Sequence, residues 1–262
     1  MTRRIALVIE YEGTDYAGFQ RQANAPSIQE EIENAIELLT QSRSTVYGAG
    51  RTDAGVHAEC QVVAFSTESV LSTDRVVAGL NHYLGDAIAI QAGYAVDAEF
   101  DPRRHAIARV YRYRLVESQI PSPLRWRFTH RVGQRLDVEL MASAARTLIG
   151  EHDFRAFSGR QPEGKSFLRR MFRSEVWRHR DEVRVELEGN AFLPQQVRRT
   201  VAMLTDVGLG RVTTGEFEQM LESGEQGAAD KVLPASGLTL REVRYAGFPP
   251  ENDAVTTDHK TH

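Results

Sequence analysis

The sequence predicts an α+β protein of two ferredoxin-like halves, and three observations carry that prediction. Across residues 3–94, apolar positions recur first with period two and then with helical spacing, in the order β-α-β-β-α-β of a ferredoxin-like unit. A similar succession of strand-like and helix-like segments returns between residues 108 and 245, as a diverged copy with no clear residue-level repeat. Inside the first half, a loop with three glycines lies between two apolar runs that read as strands.

Residues 3–11 form the first strand, with Ile5 to Ile9 as its apolar run. A polar and aromatic loop over 13–22 follows. The helix that comes next starts at Ser27, because Ser27-Ile28-Gln29-Glu30 is a capping box. Ile28, Ile32, Ala35, Ile36 and Leu39 give that helix one apolar face. An apolar run ending at Val46-Tyr47 precedes the glycine loop, and residues 59–66 follow it as a strand. Residues 73–84 form a second helix with Val76, Val77, Leu80 and Leu84 inward, and residues 88–94 close the unit as a strand.

The second half opens with strict alternation over 108–115. Val110, Arg112 and Arg114 face one way; Arg109, Tyr111, Tyr113 and Leu115 face the other. After a loop with Pro121 and Pro123, a helix from Asp137 carries Leu140, Ala144 and Leu148. Residues 171–178 and 183–189 read as a hairpin joined by Arg180-Asp181-Glu182. Pro194 opens a long helix with Val197, Val201, Leu204 and Val207 on one side, since proline suits a first turn. A short helix over 214–222 and a last strand over 238–245 complete the half. The expected domains are therefore 1–104 and 105–248, followed by a polar tail over 249–262 without periodicity, expected to be disordered.

Composition narrows the function classes. Hydrophobic residues make up 41% and charged residues 26%, as in soluble globular proteins. No apolar run approaches the ~20 residues of a membrane span. The basic start Arg3-Arg4 leads into a short apolar run that ends at Glu10, so it reads as a strand and not a signal peptide. The single Cys60 leaves no internal disulfide and no cysteine-rich zinc site, and it reads as a small apolar strand residue. A cytoplasmic protein is the expectation.

Net charge is −4, yet its distribution is uneven. From Arg103 to Arg135 there are nine arginines and one acid, Glu117; from Arg155 to Arg199 there are eleven basic residues and six acids. Arginine forks match phosphate oxygens, so such blocks suggest a local face for a nucleic acid. GC-rich coding is an equally ordinary cause of arginine in place of lysine.

The segment Gly48-Ala49-Gly50-Arg51-Thr52-Asp53-Ala54-Gly55-Val56-His57-Ala58 is the most informative in the chain. It matches neither a dinucleotide fingerprint nor a phosphate loop. Its tight folding presents one carboxylate, Asp53, with backbone close on both sides. Read alone, Asp53 is equally well a turn residue that caps its own backbone. Likewise, Tyr111 alone would be a core aromatic, Arg198 a solvated or surface-paired arginine, and His57 a loop hydrogen-bonding residue with no metal or general-base role. Phe154 and Phe157 read as core, with Arg155 between them near a possible RNA.

Taken together, the motifs resemble the tRNA pseudouridine synthase A family over residues 3–248. The glycine loop matches the family's G-A-G-R-T-D-A-G-V-H-A signature without a change. Tyr11 to Gln22 resembles its opening segment, with Glu12 where aspartate is usual and Phe19 where tryptophan is usual. Arg109-Val110-Tyr111-Arg112-Tyr113 matches its basic-x-Y-x-Y strand. Gly189 to Arg198 resembles its G-x-x-F-L-x-x-x-V-R helix start, with Pro194-Gln195-Gln196 replacing a more usual stretch. Phe100-Asp101-Pro102-Arg103 replaces F-H-x-R, and Gly237 to Tyr245 also fits.

The resemblance implies one extended antiparallel sheet joining the halves, with Asp53 in a central cleft. It implies a homodimer acting on tRNA, isomerising uridines on the 3′ side of the anticodon stem-loop (positions 38, 39 and 40), with no cofactor and no metal. Asp53 would be the catalytic residue, as nucleophile toward the sugar or as base. Arg198 would be its fixed cation, which favours the ionised carboxylate. Tyr111 would stack on the target uracil once it leaves the helix stack, and Arg51 would meet RNA phosphate. Three alternatives stay open on the residues alone: a synthase for other uridines, a non-catalytic tRNA-binding or folding protein, and a hydrolase using Asp53 with His57. The last lacks the second carboxylate that glycoside hydrolysis usually needs.

Overall fold

A computed structural model describes residues 1–161 and 163–249. The expected tail falls outside those residues except for Pro249. The first half contains β1 (Arg3–Tyr11), α1 (Ile28–Thr40), β2 (Tyr47–Gly48), β3 (His57–Thr67), α2 (Thr73–Tyr83) and β4 (Ile88–Val96). The second contains β5 (Ala106–Glu117), β6 (His130–Val132), α3 (Val138–Arg146), β7 (Gly150–Asp153), β8 (Leu168–His179), β9 (Glu182–Gly189), α4 (Gln196–Gly208), α5 (Thr214–Glu222) and β10 (Leu238–Tyr245).

All described strands join one sheet in the order β4-β1-β3-β10-β5-β9-β8-β7, with β2 added to β3 and β6 to β5. The pairings are antiparallel except β5 with β6 and β3 with β10. The mixed architecture with a large, mostly antiparallel sheet is the predicted one. The seam between β3 and the last strand, β10, is short: Thr239 pairs with His57 and Leu240 with Ala58. Those two residues of β3 immediately follow the glycine loop, so the loop projects from the middle of the sheet.

Local chemistry explains the elements. Ser27 caps α1 by accepting the Glu30 amide, and Asp137 caps α3 through the Leu140 amide. Thr213 and Glu216 form a reciprocal capping box that sharpens the start of α5. On β9, Val183, Val185 and Leu187 point into the core, and Glu182, Glu186 and Glu188 take the opposite face, as strand alternation requires. The hydrophobic core is continuous from Ile5 and Ile36 in the first half to Val201 and Phe217 in the second.

Several local expectations shift. Leu140 is 45% exposed; α3 buries Val138, Met141, Ala144 and Ala145, because it packs against both β8 and α4 and needs a wider, rotated face. Pro194 precedes the helix rather than opening it: Gln195 takes a left-handed φ of 61° and α4 begins at Gln196. The hairpin turn is Arg180-Asp181, since Glu182 already pairs with His179. β6 and β7 are too short, at three and four residues, to show a period in sequence.

Candidate active site

The glycine loop is pinned on every side. Its first arm continues the β2 pairing, with the Ala49 amide donating to the Val62 carbonyl at 2.8 Å. Gln61, fully buried, donates from Nε2 to the Gly50 carbonyl at 2.9 Å. Thr52 Oγ1 lies 2.9 Å from the Tyr11 hydroxyl, and burial pushes that phenol up to about 12. Past Asp53 the chain turns tightly: the Val56 amide donates back to the Asp53 carbonyl, and Gly55 supplies a φ of 78°.

The loop over residues 13–19 clamps this turn from the other side. The Phe19 amide donates to the Thr52 carbonyl at 3.1 Å. Gly18 has a φ of 106°, and a Cβ there would sit 2.7 Å from the Thr52 oxygen; at Gly13 it would sit 2.0 Å from the Val56 oxygen. Only glycine permits both contacts. Phe19 is buried against Tyr11 and Gly48, so the departure from tryptophan is met by core packing. Glu12 binds the Thr14 amide and Arg127.

His57 is buried between two partners that fix it as the neutral ring. Nδ1 accepts the Gly13 amide at 3.1 Å, and Nε2 donates to the Arg127 carbonyl at 2.7 Å. Burial holds its pKa below the usual histidine value. This ring ties the loop over 13–19 and the segment around Arg127 to the start of β3; it has no free nitrogen for a metal or a proton relay. Among the described residues, no group of three His, Cys, Asp or Glu is arranged to hold a metal.

The structure brings three of the predicted residues together. Asp53 Oδ2 lies 3.1 Å from Arg198 Nη1, although they are 145 positions apart in the chain. The first turn of α4 presents Arg198, whose Nε also donates to the Leu233 carbonyl at 2.7 Å. Thus the guanidinium is aimed by two contacts in one plane. The Arg198 side chain is 16% exposed and that of Asp53 40%, so the carboxylate opens onto the cleft.

Tyr111, on β5, is almost fully buried and packs edge-on against Phe192 with centroids 5.0 Å apart. A Cβ on Gly50 would lie 3.7 Å from its hydroxyl, which places that oxygen beside the glycine loop. Burial raises its pKa above the usual phenol value, and the Asp53 charge adds to the rise. Arg51 stands apart: it is exposed on the loop, and among the described residues no ion pair involves it.

Several of the arginines between 103 and 135 are taken up by internal ion pairs. Arg112 pairs with Glu186, Arg114 with Glu182, Arg125 with Asp181 and Arg127 with Glu12 and Asp15. Arg173 bridges Glu175, Glu186 and Glu188. These charges neutralise one another across the sheet face opposite the core. Sequence reasoning also gave no role to Arg109 or Phe192. For Arg109 the signal was present: a basic residue on the same strand face as Tyr111 and Tyr113.

With the geometry in place, the kinship is direct. A family model described as tRNA pseudouridine synthase matches residues 7–103 and 144–246. The chain belongs to that family. Among similar proteins, the tRNA pseudouridine synthase A of Myxococcus xanthus is 42% identical over 258 residues, covering 97% of each chain. That of Acetivibrio thermocellus is 40% identical over 243 residues, 93% of this chain and all of the relative. That of Chloroflexus aurantiacus is 41% identical over 249 residues, 93% of this chain and 89% of the relative. The family match covers the Asp53 loop and the helix that carries Arg198.

Proposed function

We propose that this chain isomerises uridine to pseudouridine in tRNA, with Asp53 as the catalytic carboxylate. The reaction breaks the bond from uracil N1 to ribose C1′, turns the base, and joins C5 to C1′. The proton on C5 leaves and N1 ends protonated, so no redox partner is needed and the formula is unchanged. Asp53 serves either route to bond cleavage, attack on C1′ or removal of a sugar proton, and both need an ionised oxygen at the sugar. Arg198 holds that charge in place. Tyr111 supplies a ring for the extruded uracil, and its hydroxyl lies close enough to the loop to move a proton at the base. Arg51, exposed and unpaired at the rim, meets an RNA phosphate.

The observation that carries the reading is the Asp53–Arg198 contact beside Tyr111, assembled from the glycine loop, α4 and β5. Residues 1–104 and 105–248 act as two halves whose seam forms the cleft. The expected targets are uridines on the 3′ side of the anticodon stem-loop. The protein works in the cytoplasm as a homodimer in which one tRNA touches both subunits, which suits a chain whose surface is not globally basic. No helix among the described residues is long and apolar enough to cross a membrane.

The test uses tRNA transcribed without modification. Incubation should yield pseudouridine in that stem-loop, and Asp53→Ala should yield none while still binding the tRNA. Free uracil in place of pseudouridine would mean a hydrolase. Binding with no product from the native protein would mean a tRNA-binding role, and product at other positions would correct the address.

A further inference from the structure

Arg109 is a further arginine beside this site, and among the described residues it makes no ion pair with a carboxylate. It stands on β5 two residues before Tyr111 and is 7% exposed. Its guanidinium donates to main-chain carbonyls from three stretches of chain. Nη2 donates to Ala49 at 2.8 Å, in the glycine loop, and to Arg103 at 2.7 Å. Nη1 donates to Asn190 at 2.8 Å and to Ala106 at 3.2 Å. Asn190 in turn is fixed to β8, donating its amide to the Arg170 carbonyl and accepting the Arg170 amide on its side chain. Phe192, two residues further on, is the ring that packs against Tyr111.

A buried cation without a counter-ion is unfavourable unless its donors are all used. Here the carbonyl dipoles of Ala49, Arg103, Ala106 and Asn190 take that part. The planar fork reaches several acceptors in fixed directions, which a lysine ammonium does only in part. Burial lowers the pKa of Arg109 from the usual arginine value, with Arg103 a smaller contributor.

We propose that Arg109 is a positioning residue of the isomerisation: it fixes the arm of the loop that leads to Asp53 against the connector that carries Phe192, and so sets the distance between Asp53 and Tyr111. Ala49 lies in the first half of the chain and Asn190 in the second, so this side chain joins the two halves. With Arg198 it makes a pair of clamps. Arg198 holds the acid itself; Arg109 holds the frame on which the acid and the tyrosine are mounted. The inference rests on Asp53 and Tyr111 being the reacting pair.

The experiment compares Arg109→Gln, Arg109→Lys and Asp53→Ala with the native protein on unmodified tRNA. Melting temperature, tRNA dissociation constant with its salt dependence, and single-turnover rate are each measured well below the melting transition. Displacing a reacting group by an ångström costs on the order of 10²-fold. Arg109→Gln should therefore lose roughly that factor in the single-turnover rate at saturating protein, with the dissociation constant and salt slope unchanged, and Arg109→Lys should recover part of it.

A native single-turnover rate for folded Arg109→Gln overturns the proposal, even if the melting temperature falls, because that is the signature of a merely structural residue. Weaker binding with a shallower salt slope and an unchanged rate also overturns it, and makes Arg109 a phosphate contact. If Arg109→Gln does not fold, Arg109→Lys decides: a native rate refutes positioning, and a lowered rate with native affinity supports it. Activity in Asp53→Ala would instead overturn the assignment of the acid, which is a separate failure.

Discussion

Arg198 offers the sharpest quantitative test of the site. Replacing it with methionine keeps an unbranched apolar stem and removes both the Asp53 contact at 3.1 Å and the Leu233 contact at 2.7 Å. A hydrogen bond to a charged group contributes about 1.5–3 kcal/mol. With the Asp53 side chain 40% exposed, water screens the pair in the free protein and the lower end applies. Once a nucleotide fills the cleft the screening falls, and the upper end applies at the stage where charge develops on the sugar. At 1.36 kcal/mol per tenfold in rate, the loss is about 10- to 100-fold in the single-turnover rate. Lysine keeps the charge but reaches only one of the two acceptors, so Arg198→Lys should fall roughly midway. The assay follows release of tritium from C5-labelled uridine in tRNA at saturating protein. A methionine variant within about twofold of the native rate would refute the argument that a fixed cation sustains the Asp53 charge.

Two further outcomes follow from the same geometry. Tyr111→Phe keeps the ring against Phe192 and removes only the hydroxyl beside Gly50; if that oxygen moves a proton, the single-turnover rate should drop by about 10²-fold or more with tRNA affinity intact, and an unchanged rate would reduce Tyr111 to a stacking platform. His57 accepts the Gly13 amide only while neutral, and its pKa is depressed in the fold, so its contribution is complete above the unfolded value of about 6.5 and is lost as pH falls through the lower folded value. His130 has a depressed pKa as well, so the measurement is a difference: His57→Asn should show a smaller decline in melting temperature below about pH 6.5 than the native protein, and parallel curves would count against this role.

Much of this protein was legible in sequence because its signals are local. The Ser27 cap, the alternation on β5, and the glycines that force the loop to fold back on itself are each written within a few residues. Asp53 could be named because the loop around it matches the family signature residue for residue; the loop's glycines alone left it equally well a turn residue. What was not legible depends on pairing at a distance. Arg112 and Arg114 read in sequence as part of a phosphate face, yet their partners Glu186 and Glu182 are supplied by β9 more than sixty positions later. Leu140 lost its inward place because two neighbours press on α3, and sequence periodicity describes only one face. Arg109 was placed on the right side of its strand, but its four acceptors are carbonyls, which leave no trace in residue identity.

The location of the site follows from the sheet. A strand pairing of two residue pairs between β3 and β10 is too short to hold two halves in register by itself. The halves are tied more firmly by side chains that cross the seam: Arg198 to Asp53, Arg109 between Ala49 and Asn190, His57 and Glu12 to the segment at Arg127, and the Arg241–Glu59 ion pair. Two of these ties, through Arg198 and Arg109, involve the residues proposed above as the acid's partner and the frame of the site. A ligand that contacts both the Asp53 loop and α4 would therefore add ties across this short pairing. Binding of tRNA should stiffen the Asp53 loop before it affects the outer strands β4 and β7, and amide exchange at Ala49, Phe19 and Val56, whose hydrogen bonds brace that loop, is where the stiffening should be read.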